Sequence, residues 1–246
     1  LFMMLFFLFI KDSKAQNNVT DFFIEGSSSD WRPYIYKDGG KIKGSAFIII
    51  KNVLEHSQVP FQFSIIPWAR VYHNGLYKEN YLLGTLGRVP QREELFHWIG
   101  PVTAGVDSFF YKLKSTPIEV KNIDELTNYV VGVERGTYHH EYLEQHNFTE
   151  SNIYPAVNGE QLFNMLLRRR VPLILTTQSF FLGMIKKSNL DPKLFEKTLY
   201  AYRVVDYMAF SKNTSPLLIK QVRKAYKELE AAGKISISPI PEIYDK

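Results

Sequence analysis

Val130-Val131-Gly132-Val133-Glu134-Arg135-Gly136-Thr137-Tyr138 compresses a strand, a turn and the start of a helix into one short stretch. The valine-rich run is apolar without alternation, which suits a strand covered on both faces. Glu134-Arg135-Gly136-Thr137 ends it, and Thr137 stands where an N-cap would open a helix over residues 138–146. Outward from this unit the same alternation recurs. Upstream, residues 21–25 read as a strand and Gly26-Ser27-Ser28-Ser29-Asp30 as the loop at its carboxyl end, where open α/β sheets place ligands. Tyr34-Ile35-Tyr36 followed by Lys37-Asp38-Gly39-Gly40-Lys41 reads as a hairpin, because Asp-Gly-Gly supplies the positive φ of a tight turn. Ala46, Ile49, Ile50, Val53 and Leu54 form a helical stripe, and residues 61–65 form a second strand. Downstream come a helix over 159–169 with Leu162, Met165 and Leu166 on one face, a strand at 173–175, and Thr176-Thr177-Gln178-Ser179 opening another helix. Residues 216–232 carry Leu217, Ile219, Val222, Ala225, Tyr226 and Leu229, with Gly233 as the stop. Strands and helices alternating in this way predict α/β layers, and neither a sandwich nor a bundle.

Composition narrows the chemistry. A chain of 246 residues with 45% hydrophobic and 15% aromatic content can bury one or two substantial cores, which excludes disordered and collagen-like classes. A formal charge of +5 is spread along the chain and forms no nucleic-acid footprint. The absence of cysteine removes disulfides, thiolate metal sites and cysteine nucleophiles. Leu1 to Ile10 are unbroken apolar, half of the roughly 20 residues that a bilayer span needs. With Ser13-Lys14-Ala15 placing small residues three apart, residues 1–15 read as a secretory signal and the location as periplasmic. No other segment is long and apolar enough to span a membrane.

Five segments, in order, resemble the family-3 periplasmic solute-binding proteins, the amino-acid-type receptors of ABC importers. They are Trp31-Arg32-Pro33-Tyr34 with Asp38-Gly39-Gly40-Lys41-Ile42-Lys43-Gly44; Pro67-Trp68-Ala69-Arg70; the block Arg88-Val89-Pro90-Gln91-Arg92-Glu93-Glu94-Leu95-Phe96-His97-Trp98-Ile99-Gly100-Pro101-Val102; residues 126–137; and Met208-Ala209-Phe210-Ser211-Lys212 with the terminal helix. The resemblance implies an α/β, two-lobed periplasmic-binding-protein-like (type II) fold with two hinge strands. Crossings fall at residues 108–112 and 207–211, so that 16–108 plus 210–246 form lobe 1 and 109–209 lobe 2. It further implies a monomer that closes on a small carboxylate-bearing ligand, an amino acid or relative, for an ABC permease in the membrane, with no cofactor, metal or nucleic acid.

By the same resemblance Arg92 clamps a ligand carboxylate, and a planar guanidinium with two parallel donors suits that task. The competing reading is a solvated surface arginine. Trp31 matches a stacking aromatic, against packing in the core; Thr85 and Gly87 match a strand-end contact; Thr137 and Tyr138 match a helix N-terminus facing an anion, alongside plain capping. Arg70 is a second anion contact or a structural partner of Trp68. In Arg170-Val171-Pro172-Leu173-Ile174-Leu175-Thr176-Thr177-Gln178 the family carries aspartates where this chain has Pro172 and Thr177, so Thr177 leaves a ligand ammonium without its usual partner. Asp30, Glu25 and Asp206 are the acids available to replace it. His139, His140 and His146 lack a metal-ligand pattern and read as surface residues, and Arg168-Arg169-Arg170 reads as a solvated helix end. A cleft enzyme of dehydratase type and a ligand-sensing module are the alternative functions. N-terminal sequencing of protein recovered from the cell envelope should begin near Gln16; residues 1–15 found intact there would refute the signal.

Overall fold

The computed structural model describes residues 22–237, so the expected signal at 1–15 lies outside the described residues. Two five-stranded sheets carry the fold. The first runs β4(Phe61–Ile65)-β1(Ile24–Ser28)-β5(Tyr81–Gly87)-β12(Asp206–Ser211)-β6(Phe96–Pro101). The second runs β11(Phe195–Val204)-β7(Val106–Leu113)-β10(Leu173–Thr177)-β8(Val131–Glu134)-β9(Ile153–Ala156). A separate hairpin pairs β2(Tyr36–Asp38) with β3(Lys41–Lys43), and both Gly39 and Gly40 have positive φ there, as the turn requires.

Each sheet is covered on both faces. On the first, α1(Ser45–Ser57) and α7(Pro216–Ala231) bury Ile50, Leu54, Val222 and Tyr226 against Ile24, Leu82 and Phe210. The opposite face packs α2(Trp68–Tyr77) through Trp68 and Val71 against Leu83, Leu86 and Trp98. On the second sheet α5(Gly159–Leu167) and α6(Gln178–Lys187) supply Phe163 and Phe181, the latter stacked on Tyr111 at 3.7 Å between ring centroids. Behind it α3(Ile123–Leu126) and α4(Tyr138–Gln145) contribute Leu126 and Leu143. Each such apolar side chain removed from water contributes about 1.5–3 kcal/mol, which makes the sheets rigid platforms.

Several boundaries differ from the sequence reading. β1 runs on through Gly26, Ser27 and Ser28, which were expected in a loop. Ser27 bonds the Tyr81 hydroxyl, and the Ser28 and Thr85 hydroxyls meet at 2.6 Å, so small polar residues here pair across strands. Leu217 points outward while Leu218 takes its place in the core. Gly233 at φ 65 completes a Schellman closure, with Lys234 N donating to Leu229 O at 2.9 Å and Gly233 N to Glu230 O at 3.0 Å. The crossings expected at 108–112 and 207–211 fall inside β7 and β12, each of which pairs within one sheet. The chain changes sheet instead at residues 102–105 and at Val205. These two passages are tied together: Asp206 N donates to Thr103 Oγ1 at 3.0 Å, and that hydroxyl donates to Asp206 Oδ2 at 3.2 Å.

Gly100 on β6 lies directly beneath the Tyr226 ring, whose hydroxyl donates to Pro101 O at 2.8 Å. A methyl group there would collide with the ring. Gly100→Ala should therefore cost about 1–3 kcal/mol, measured as a lower urea midpoint with an unchanged slope.

Candidate functional site

β1, β4 and β5 run parallel in one sheet, and β8, β9 and β10 run parallel in the other. Their carboxyl ends supply the walls of a cavity of about 130 Å³: Ser29, Asp30 and Trp31 follow β1, Trp68 follows β4, and Thr85 and Gly87 end β5. From the second sheet come Glu134, Thr137 and Tyr138 after β8, and Thr176 and Thr177 at the end of β10. Seven of the eight residues expected at a site, namely Trp31, Thr85, Gly87, Arg92, Thr137, Tyr138 and Thr177, thus line one space. Arg70 does not. It lies two residues beyond the buried Trp68 on α2, roughly 200° around the helix, and is exposed. The cation over the Trp68 ring is Arg92, at 6.0 Å.

Arg92 is only 2% exposed, which removes the surface reading. It sits on the short 3₁₀ helix Pro90–Leu95, packs over the Tyr72 ring at 4.9 Å, and donates through Nη2 to Glu141 Oε1 of α4 at 2.6 Å. The pair joins the lobes through one prong, and Arg92 Nε and Glu141 Oε2 have no hydrogen-bond partner. Two further bonds cross the cleft: Trp68 Nε1 to Gly136 O at 2.7 Å and Trp31 Nε1 to Thr177 Oγ1 at 3.4 Å. Thr177 also caps α6, accepting from Phe180 N at 3.3 Å. Thr137 occupies the N-cap position of α4, but its hydroxyl donates to Glu134 O at 2.8 Å and caps nothing, which corrects the expected side-chain cap.

Acidic groups line the cavity without a matching set of cations. Asp30 and Asp206 are there, while Glu25 is outside, paired with Lys78 at 2.8 Å. Glu134, a turn residue by sequence alone, faces the cavity from the end of β8. Its position at the carboxyl end of a strand is the signal that marks it. Burial pushes the Glu134 carboxyl up to about 7, and burial likewise pushes Asp206 to about 7 against the opposing pull of the Thr103 hydroxyl and Arg92. His139, expected at the surface, turns inward on the face of α4 that carries Leu143. Its Nε2 meets Ser108 Oγ at 3.1 Å, and burial, reinforced by the Arg92 charge, lowers its pKa to about 3, so it is neutral at pH 7. An outer groove of about 700 Å³ adjoins the cavity, sharing Asp30, Trp68, Glu134 and Phe180, and Arg168 and Arg170 stand along it. Arg169, at φ 56, turns aside to donate to Ser115 Oγ at 3.1 Å. Among the described residues no group of three His, Cys, Asp or Glu is placed to hold a metal.

No protein-family model and no curated protein matches the sequence. Solved structures do. The arginine-, lysine-, histidine-binding protein ArtJ from Geobacillus stearothermophilus is 20% identical with a TM-score of 0.70, over 87% of this chain and 91% of that one. The chain has the two-lobed fold of periplasmic solute-binding proteins. A histidine kinase sensor domain with similarity to periplasmic binding proteins shares that fold at a TM-score of 0.75 and 14% identity, covering 87% of this chain and 92% of the other. So does holo ArgBP from T. maritima, at 0.71 and 15%, over 85% and 90%. Among the described residues no helix is long and apolar enough to cross a membrane.

The sign of the Glu134 effect on this binding-protein fold can be measured. A carboxyl raised from 4.5 to about 7 holds its proton in the folded chain where the unfolded chain has lost it. Its contribution is therefore complete below about pH 4.5 and is lost as the pH rises to about 7, by up to about 3 kcal/mol. Glu134→Gln removes this loss. Its melting temperature should fall less than the wild type's between pH 5 and pH 8; equal slopes would mean that the carboxyl is not desolvated.

Proposed function

We propose that this protein is an extracytoplasmic solute-binding protein that closes on a small amino-acid-like ligand and presents the closed form to an ABC permease. One observation carries the reading: a cavity between the sheets, lined from both by aromatic faces and acidic side chains, with Arg92 of the first lobe beside them. A ligand that touches both lobes stabilises the closed form by its differential affinity for it, and a membrane partner can then read the closed shape. Arg92 is the group a ligand carboxylate would engage, on condition that Glu141 gives way. Thr177, already capping α6, offers only a hydroxyl to a ligand ammonium, while Asp30, Glu134 and Asp206 offer carboxylates. Thr85, Gly87, Thr137 and Tyr138 complete the walls. The chain acts as a monomer without a cofactor, and its role is binding without chemistry. Sensing is a second reading, favoured by the likeness to the histidine kinase sensor domain.

A thermal-shift screen of amino acids, amines, other small carboxylates and oligopeptides tests the proposal. A true ligand at about 100 times its Kd should add roughly 2.7 kcal/mol of stability. Small-angle scattering should then show a smaller radius of gyration with the ligand than without it. No stabilising compound and no compaction would overturn the reading.

A further inference from the structure

Among the described residues Arg92 is the only arginine or lysine that lines the inner cavity, and it already has a carboxylate. Glu141 reaches it from the opposite lobe at 2.6 Å, and Trp68 and Tyr72 cover the guanidinium, leaving it 2% exposed. The neighbouring ring nitrogen of His139 belongs to a neutral imidazole bonded to Ser108. What remains facing the space is acidic: Asp30, Glu134 and Asp206. Asp206 has the Thr103 hydroxyl for company, Asp30 stands 3.7 Å from Arg32 at the exposed rim, and the Glu134 carboxylate has no hydrogen-bond or ion-pair partner among the described residues. Trp31, Tyr138, Phe180 and Tyr202 supply aromatic walls between them.

We propose that Glu141 occupies the place of a ligand carboxylate, so that the site selects an organic cation lacking one, a primary amine or guanidine held by Glu134, Asp206 and the aromatic walls. This rests on the solute-binding reading and names the ligand class of that same site. The physical argument is competition. A carboxylate built into α4 acts at an effective concentration of millimolar or more, and it is present in every molecule. A free ligand's carboxylate must either share the guanidinium with Glu141, using the unpartnered Nε, or eject it, and both add negative charge beside Glu141, Asp30, Glu134 and Asp206, which opposes them. A cation meets the reverse situation. Its charge favours the ionised forms of Glu134 and Asp206, which burial otherwise keeps protonated up to about pH 7, and the aromatic faces attract it as well. Arg168 and Arg170 lie on the exposed outer groove, where salt screens them, and do not offset the acids inside.

Calorimetry with matched pairs decides the question: agmatine against arginine, and cadaverine against lysine, the amines being the amino acids without their carboxylates. In the wild type each amine should bind at least 10-fold tighter than its amino acid. In Glu141→Gln, which frees Arg92, the amino acids should gain at least 10-fold and the amines should not gain. Glu134→Gln, which leaves the interlobe pair intact, should weaken the amines at least 10-fold, so the test survives a folding defect in the first variant. Amino acids binding as tightly as the amines in the wild type, or deaminated carboxylates binding in place of both, would overturn the cation class while leaving solute binding standing. No heat and no thermal shift with any amine, amino acid or carboxylate would overturn both.

Discussion

Parallel pairing imposes a direction on a sheet, and that constraint organises this molecule. β1, β4 and β5 are parallel in one sheet and β8, β9 and β10 in the other, so every loop that leaves their carboxyl ends emerges toward the same crevice. Trp31, Trp68, Gly87, Glu134, Thr137 and Thr177 are brought together by this geometry from positions far apart in the chain. The amino-terminal ends of those strands carry none of the lining. Buried Ile24, Leu82, Val131 and Leu173 within the same strands fix the register, because shifting a strand by one residue would turn each of these side chains to the other face of its sheet.

Burial then sets the electrostatics of the crevice. Glu134 and Asp206 face a cavity too enclosed to hydrate a full charge well, so both hold protons up to near neutral pH. His139 is held neutral by the same loss of water. Arg92 cannot shed its charge in this way, because a guanidinium does not deprotonate in proteins. It is accommodated by a carboxylate from the opposite lobe and by the faces of Tyr72 and Trp68. An ion pair of this kind gains little stability over apolar packing, yet removing one partner would strand the other charge. The pair therefore works chiefly as a positional link between lobes, alongside the indole bonds of Trp31 and Trp68.

Local pattern made much of the fold legible. The stripe of Ala46, Ile49, Ile50, Val53 and Leu54 became the buried face of α1, the Asp-Gly-Gly turn became the β2–β3 hairpin, and Gly233 closed α7, because each depends on neighbours within a few residues. The resemblance carried by five segments in order, the block around Arg92 among them, implies the two-lobed fold, and most of the residues drawn from it converge on one space. Arg70 lies outside that space because adjacency to Trp68 in sequence is not adjacency on a helix. His139 faces inward although the run His139, His140 and His146 gives no sign in sequence of which way its helix turns.

By itself the sequence determined the alternation of strands and helices, the caps and turns, and the set of side chains available for binding, since these follow from propensity, periodicity and backbone sterics over short distances. Only the tertiary structure decided which charges meet. Glu141 pairs with Arg92 across 49 positions because two lobes come together, and no periodicity connects them. Glu134 became a cavity acid, and Asp206 a partly protonated one, because surrounding chain excludes water from them. Coulomb energy depends on distance and on dielectric, and both are properties of the folded surroundings and not of the order of residues.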